Sequence, residues 1–185
     1  MLRTSIFVAA TLLYFGGPTS ICPQQPPKAR ISKPLAVFYP DDENAGLKDA
    51  APPTDIVLNA LLKTAEARLT GTRLTELDRE SQRKVFRVAQ VDLGDAEEKD
   101  FIAVGSKPMT GADNEWFWIV RVRQGRASVL LFTGALSVSI LPHKTNGRHD
   151  ISSFWTMGAN ELFRRYGYNG TVYKLTGQRY HEIKP

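Results

Sequence analysis

Cysteine is nearly missing from this chain: Cys22 is the single thiol in 185 residues. No intrachain disulfide can form, so the fold has to rest on a hydrophobic core. Histidine is almost as scarce, limited to His143, His149 and His181. The sequence holds no Gly-x-Ser-x-Gly elbow, no His-Glu-x-x-His pair and no phosphate-binding glycine loop, so none of the common hydrolase, zinc or nucleotide motifs nominates an activity. An apolar run of membrane-spanning length is also lacking. The longest, residues 6–15, falls well short of the roughly 20 residues a spanning helix needs. Neither sign of charge dominates: 24 Lys and Arg against 19 Asp and Glu leave a net charge of +5. That balance suits solubility or a mildly acidic partner more than a nucleic acid.

What the N-terminus does contain is ordered. Arg3 precedes the apolar run, and Gly16, Gly17 and Pro18 break it before the small residues Thr19 and Ser20. Charge, short apolar helix and extended small-residue stretch make a secretory signal over residues 1–22, so the chain is expected to be exported to the periplasm or the extracellular space. Thr19-Ser20-Ile21-Cys22 has the outline of a lipoprotein box, but the bulky Ile21 stands where a small residue is required. A cleaved signal is therefore preferred to a lipid anchor on Cys22, and no integral span is expected in the mature chain. About 160 residues remain, enough for one core.

Residues 23–53 carry seven of the eleven prolines. Proline fixes φ and removes a backbone donor, so this segment reads as an arm or linker. Within it, Leu35–Tyr39 is apolar enough to dock as an edge strand, and Asp41, Asp42 and Glu43 read as a solvated loop. The folded domain is expected over 54–185. Thr54 is placed to cap a helix whose apolar positions Ile56, Val57, Ala60, Leu61, Ala65 and Leu69 recur every three or four residues, ending near Gly71. A second short helix is suggested over 75–84.

From residue 85 the apolar period changes to two. Segments 85–91, 101–104, 115–123, 127–133, 136–143, 149–157, 161–168 and 171–176 read as strands. Gln124-Gly125, Gly134-Ala135, Asn146-Gly147 and Asn169-Gly170 supply hairpin chemistry, since these pairs accept the positive φ of tight turns. The predicted class is α+β: one N-terminal helix or two packed on an antiparallel meander of seven to eight short strands. In 115–123, Trp116, Trp118, Val120 and Val122 share one face. The opposite face starts apolar and ends basic, as where a helix covers part of a sheet.

One stretch looks like a motif: Asp92-Leu93-Gly94-Asp95, then Asp100-Phe101-Ile102-Ala103-Val104. Downstream come Trp116-Phe117-Trp118, an Asn146-Gly147 turn before His149-Asp150-Ile151, and Tyr168-Asn169-Gly170 with Tyr173. Together, over residues 88–181, these resemble single-domain exported bacterial proteins related to degenerate FG-GAP/VCBS-type repeats. The resemblance implies a strand, acidic loop and strand that cradle calcium, with Asp92, Asp95 and Asp100 as metal candidates. The loop departs from that pattern: Gly94, Ala96 and Glu98 stand where alternating oxygen ligands are needed. A turn without metal is the expectation, and no cofactor is expected.

Two other groupings carry chemistry. A two-residue turn at Asn146-Gly147 sets His143 across from Asp150, the only acid–base pair or half metal site that the sequence nominates. Arg164, Tyr166 and Tyr168 alternate on one strand and make the best interaction surface, while Trp116, Trp118 and Trp155 would suit sugar stacking. The expectation is an exported, non-catalytic module that binds another envelope or extracellular protein, as an inhibitor, immunity or assembly factor. The alternatives are binding of cell-wall glycan and a hydrolase using His143 and Asp150.

Overall fold

The computed structural model describes residues 33–40, 47–68, 74–95, 97–106 and 115–182; the expected signal, Cys22 and the Asp41–Asp42–Glu43 cluster lie outside them. The chain is mainly β. Among the described residues nine strands run in the order β1 (Ala36–Phe38), β2 (Phe86–Val91), β3 (Lys99–Gly105), β4 (Glu115–Arg123), β5 (Arg126–Ala135), β6 (Ser137–Thr145), β7 (Arg148–Met157), β8 (Asn160–Tyr168) and β9 (Tyr173–Glu182). They form two antiparallel sheets, not one meander: five strands ordered β1-β6-β7-β8-β9 and four ordered β2-β3-β4-β5.

The division occurs at Gly134-Ala135, which was expected to be a hairpin. The chain instead stays extended through Ala135 and passes into the second sheet at Leu136, whose N–H donates to Phe154 O at 2.7 Å. Two of the other expected turns are tight. Gln124 (φ 48°) with Gly125 (φ 70°) and Asn146 (φ 49°) with Gly147 (φ 81°) are both left-handed at consecutive residues, the type I′ geometry whose twist suits a hairpin. Asn169-Gly170 belongs to a longer loop, in which Asn169 Oδ1 accepts from the N–H groups of Thr171 and Val172 at 3.0 and 2.9 Å.

The expected N-terminal helix is shorter than its pattern. Helix α1 covers Asp55–Leu62, and Thr54 precedes it without a side-chain cap. Thr64 Oγ1 donates to Leu61 O at 2.7 Å, taking a carbonyl that helix continuation would use, and a 3₁₀ turn follows at Glu66–Arg68. Val57, Leu58 and Leu61 are buried while Ile56 is exposed, so the inward stripe is rotated from the predicted one. Helix α2, Arg79–Lys84, begins where Asp78 accepts from Ser81 N at 2.9 Å, and Gln82 beneath it donates to Leu74 O. Asp55 ties the helices together through Arg79 and Arg83, each at 2.8 Å. Hydrogen bonds from those two guanidinium groups hold its carboxyl below the usual carboxylate range.

The result is three layers. Helix α1 lies over β4 and β5, so Val57, Leu58 and Leu61 join Phe86, Trp118 and Val120 in one core. The other core, between the sheets, holds Phe117 and Ile119 with Val138, Ile140, Ile151 and Tyr166. The helix therefore covers the tryptophan face of β4, and the second sheet covers the face that ends in arginines, the reverse of the expected arrangement. The arm contributes directly. β1 pairs with β6 as an edge strand, Phe38 and Leu47 are buried, and Ala51 bridges Val88.

Trp118 has no exposed surface and packs edgewise against Phe86 and at a tilt against Phe132, at 5.6 and 5.3 Å between ring centroids. Trp118→Ala is expected to cost about 3–5 kcal/mol of stability, read as a lowered midpoint in chemical denaturation. A midpoint within error of the parent would show that this ring is not the centre of the helix-side core.

Candidate functional site

Three groupings gather the chemistry-bearing residues. The first lies between the sheets. Arg148 enters from β7 and is buried, donating to Asp100 Oδ2 at 2.7 Å and to Glu98 Oε2, with Asp95 at 3.6 Å. Glu98 also pairs with Arg121 and Arg123. The Arg148 guanidinium lies 5.1 Å from the centre of the Tyr168 ring. Arg121 Nη1 donates to Tyr168 OH at 2.9 Å, and that hydroxyl donates to Gly170 O at 2.8 Å. The acidic loop thus already holds a cation, supplied by the chain itself. Asp92 Oδ1 and Asp95 Oδ1 accept from Gly94 N and Glu97 N, so both oxygens fold the loop. Among the described residues no three His, Cys, Asp or Glu side chains are placed to hold a metal ion. The donor set does not fit the calcium that the resemblance implied, because a guanidinium occupies the middle of it.

An open cleft of about 630 Å³ lies over this cluster, lined by Asp92, Asp95, Glu98, Asp100 and Lys144. Asp100 is buried, and its Oδ1 has no hydrogen-bond partner among the described residues. Burial pushes its carboxyl up to about 7; Arg121 opposes the rise, while Asp95 and Asp92 add to it.

The second grouping is the pair nominated by the sequence. His143 Nδ1 is 2.9 Å from Asp150 Oδ2. Lys144↔His149 and Thr145↔Arg148 hold the predicted register, and an irregularity between Ile140 and Lys144 follows. Arg165 donates to the same Asp150 oxygen through Nε at 2.9 Å and Nη2 at 2.7 Å. The Asp150 side chain is 2% exposed and that of His143 60%, so a buried carboxylate orients an outward imidazole. This is half of an acid–base device. Among the described residues no hydroxyl or third ligand is bonded to His143.

The third grouping is an extension of the five-stranded sheet. β6 begins opposite Phe154, at Ser137, so β7, β8 and β9 run on past it as three strands. Their register sets Trp155, Leu162 and Tyr180 in one row and Phe154, Phe163 and Arg179 in the next. Adjacent rows face opposite sides. Tyr180 is 59% exposed and Phe163 42%. The Arg164 guanidinium lies over the Trp155 ring, 5.4 Å from its centre, a cation–π contact. Phe154 and Phe163 pack at 4.7 Å on the other face.

The residues expected to bind are thereby divided. Arg164 and Trp155 are brought together on the extension. Tyr166 and Tyr168 share their strand face but point between the sheets and are buried; Tyr166 OH is 3.0 Å from Thr133 Oγ1. They are core, not surface, because the four-stranded sheet covers that end of the face. Trp118 is core as well, and Trp116 packs edgewise on Trp118 and Phe132. Sequence reasoning gave Tyr180, Phe163 and Leu162 no binding role: the expected last strand stops at 176, short of Tyr180, and Leu162 and Phe163 enter only as members of the strand 161–168. The usable signal was the Leu162-Phe163 pair, which must place one apolar side chain on each face of β8.

Two outcomes follow for the buried network. Arg148→Ala leaves Glu98 and Asp100 buried without their main partner and is expected to cost about 3–5 kcal/mol, measured by denaturant titration. For Asp100, the folded-state value lies above the unfolded one, so the native state holds the extra proton and stability from this group falls as pH rises from about 4 to about 7. Asp100→Asn should therefore gain on the parent across that window and hold a constant difference above it. A difference that stays flat from pH 5 to 8 would show that this carboxyl does not carry the shift.

No protein-family model matches the chain, and neither a curated protein nor a solved structure matches it; its function rests on its own residues.

Proposed function

We infer that this is an exported, non-catalytic module that binds another envelope or extracellular protein, and that the β7–β8–β9 extension is its docking surface. The observation that supports this is the exposed Tyr180 beside the half-buried Trp155 and Arg164 on one face of the extension, with the exposed Phe163 on the other. Aromatic and arginine side chains anchored on rigid strands are the residue types that dominate binding energy at protein interfaces. The buried Arg148 network consumes the acidic loop internally, and among the described residues no nucleophile is bonded to His143, so neither competes as strongly. Export rests on the order of charge, apolar run and small residues in 1–22. Among the described residues no helix is long and apolar enough to cross a membrane.

A glycan reading is supported by the same ledge through Trp155 and Tyr180 alone, since Trp118 is inaccessible.

The test is capture of partners from envelope extract by the exported chain carrying a tag after Pro185, with a parallel pellet assay on cell-wall polysaccharide. One stoichiometric protein is expected, with capture reduced about tenfold or more by Trp155→Ala or Arg164→Ala and unchanged by Ser128→Ala on β5. Retention on polysaccharide with no protein captured would replace this reading with glycan binding.

A further inference from the structure

Strand β9 ends the five-stranded sheet. It pairs with β8 over its whole length, from Tyr168↔Tyr173 to Asn160↔Glu182. Among the described residues no strand and no backbone hydrogen bond lies along its other side. Ten residues long, with all but Tyr173 exposed, it presents an unoccupied row of backbone donors and acceptors. The other edges differ. β1 has three residues. The free side of β2 is met at Val88 by Ala51, through bonds of 2.8 and 2.9 Å in both directions. β5 is an edge of equal length, but more than half of its residues are buried or half-buried, where β9 is exposed from Lys174 onward.

The side chains beside this edge are sorted by face. The register pairs Leu175 with Tyr166 and Tyr180 with Leu162, so both apolar residues lie on the inward face. Lys174 pairs with Gly167 and Arg179 with Phe163, which puts both cations on the outward face. The irregularity between Arg165 and Tyr166 leaves Thr176 as the extra residue and keeps this sorting on both sides of it. Among the described residues neither Lys174 nor Arg179 has a carboxylate partner. Arg164, one strand in, spends its charge on the Trp155 ring.

We propose that β9 takes up an extended segment of the partner by strand addition, and that this segment carries acidic residues on one face and apolar residues on the other. The proposal rests on the binding-module reading and specifies how the surface is used. Backbone pairing along 177–182 supplies affinity without regard to sequence, and alternate side chains supply selectivity. An incoming strand over 177–182 sets an outward residue beside Arg179, with Lys174 on the same face just past the Thr176 bulge, so a carboxylate there gains and a cation is repelled. Its intervening residues extend the Tyr180 face. The same charges argue against a second copy of this chain as occupant. Two β9 strands laid edge to edge bring together two basic outward faces from chains of net charge +5.

The test uses two pools of heptapeptides with alternating positions. One has Glu at positions 2, 4 and 6, the other Lys, and the remaining positions are drawn from Val, Ile, Leu, Phe and Tyr. Each pool is passed over the immobilised full chain. The acidic pool should be retained about tenfold more than the basic pool, and Lys174→Glu with Arg179→Glu should invert the preference. Both substitutions lie at exposed positions, and circular dichroism checks that the fold is kept. Retained acidic peptides should slow amide exchange within 177–182 and should be lost when alternate peptide nitrogens are methylated. Equal retention of the two pools, retention that survives methylation, or concentration-dependent dimers formed through β9 would each overturn strand addition. Protein capture that depends on Trp155, with neither pool retained, would sink strand addition and leave the binding-module reading standing.

Discussion

The arrangement of the two sheets depends on where Arg148 puts its charge. It is carried by β7, in the five-stranded sheet, and discharged on Glu98 and Asp100, at the start of β3 in the other. A guanidinium buried to 4% side-chain exposure is tolerable only where its donors are met, and here carboxylates and the Tyr168 ring surround it. The geometry is demanding in return. Glu98 is shared with Arg121 and Arg123 on β4, and Arg121 reaches Tyr168 on β8. A slip of any one of these strands by one residue would send its member to the opposite face and leave a charge buried and alone. The network therefore penalises wrong registers between the sheets more than it adds to stability, while Phe117, Ile119, Ile140 and Ile151 supply the burial.

That constraint also decides which tyrosines and tryptophans are left for anything else. Closing the sheets over Arg148 draws Tyr168 under its guanidinium and Tyr166 to Thr133, while helix α1 seals Trp118 from the opposite side. Toward the far ends of β7, β8 and β9 the same strand face that is core at Tyr166 is half-buried at Leu162 and exposed at Tyr180. A surface expected from alternation on β8 is thus displaced along the strand by a few residues. Arg164 stands at the boundary between the two regimes.

The strands were legible because their alternation is reinforced by turn chemistry. The limits of β4 were read without error, and the Asn146-Gly147 turn fixed Lys144 opposite His149. What alternation does not encode is which sheet a strand joins. Gly134-Ala135 carries the residues of a turn, yet the chain remains extended there, because β6 gains more by pairing with β1 and β7 than by doubling back on β5. The His143–Asp150 contact was legible from the same turn, whereas Arg165 as its third member required the pairing of β7 with β8. Arg148 was invisible as a structural cation: an arginine next to a turn reads as solvated, and only its register against β3 brings it to Glu98 and Asp100. β9 was half missed for the opposite reason. An edge strand exposed along nearly its whole length is held by backbone bonds to β8, and those leave little trace in the side chains.

The exposed end of the sheet has no role in the cores. Tyr180 and Phe163 bury little on folding, so hydrophobic burial gives these positions only a small share of the roughly 1.5–3 kcal/mol that a fully buried large apolar side chain supplies. A polar residue at either position would be as compatible with β pairing and better hydrated. Exposed single apolar residues need no explanation, but Tyr180 shares its face with the half-buried Trp155 and Leu162 beside it, while Phe163 stands on the other face against Phe154; grouped apolar side chains mark interaction surfaces more than scattered ones do. The strand that carries Tyr180 is also the one with a free edge. An exposed apolar side chain and an unpaired backbone edge at one place are what the proposed incoming strand would meet together.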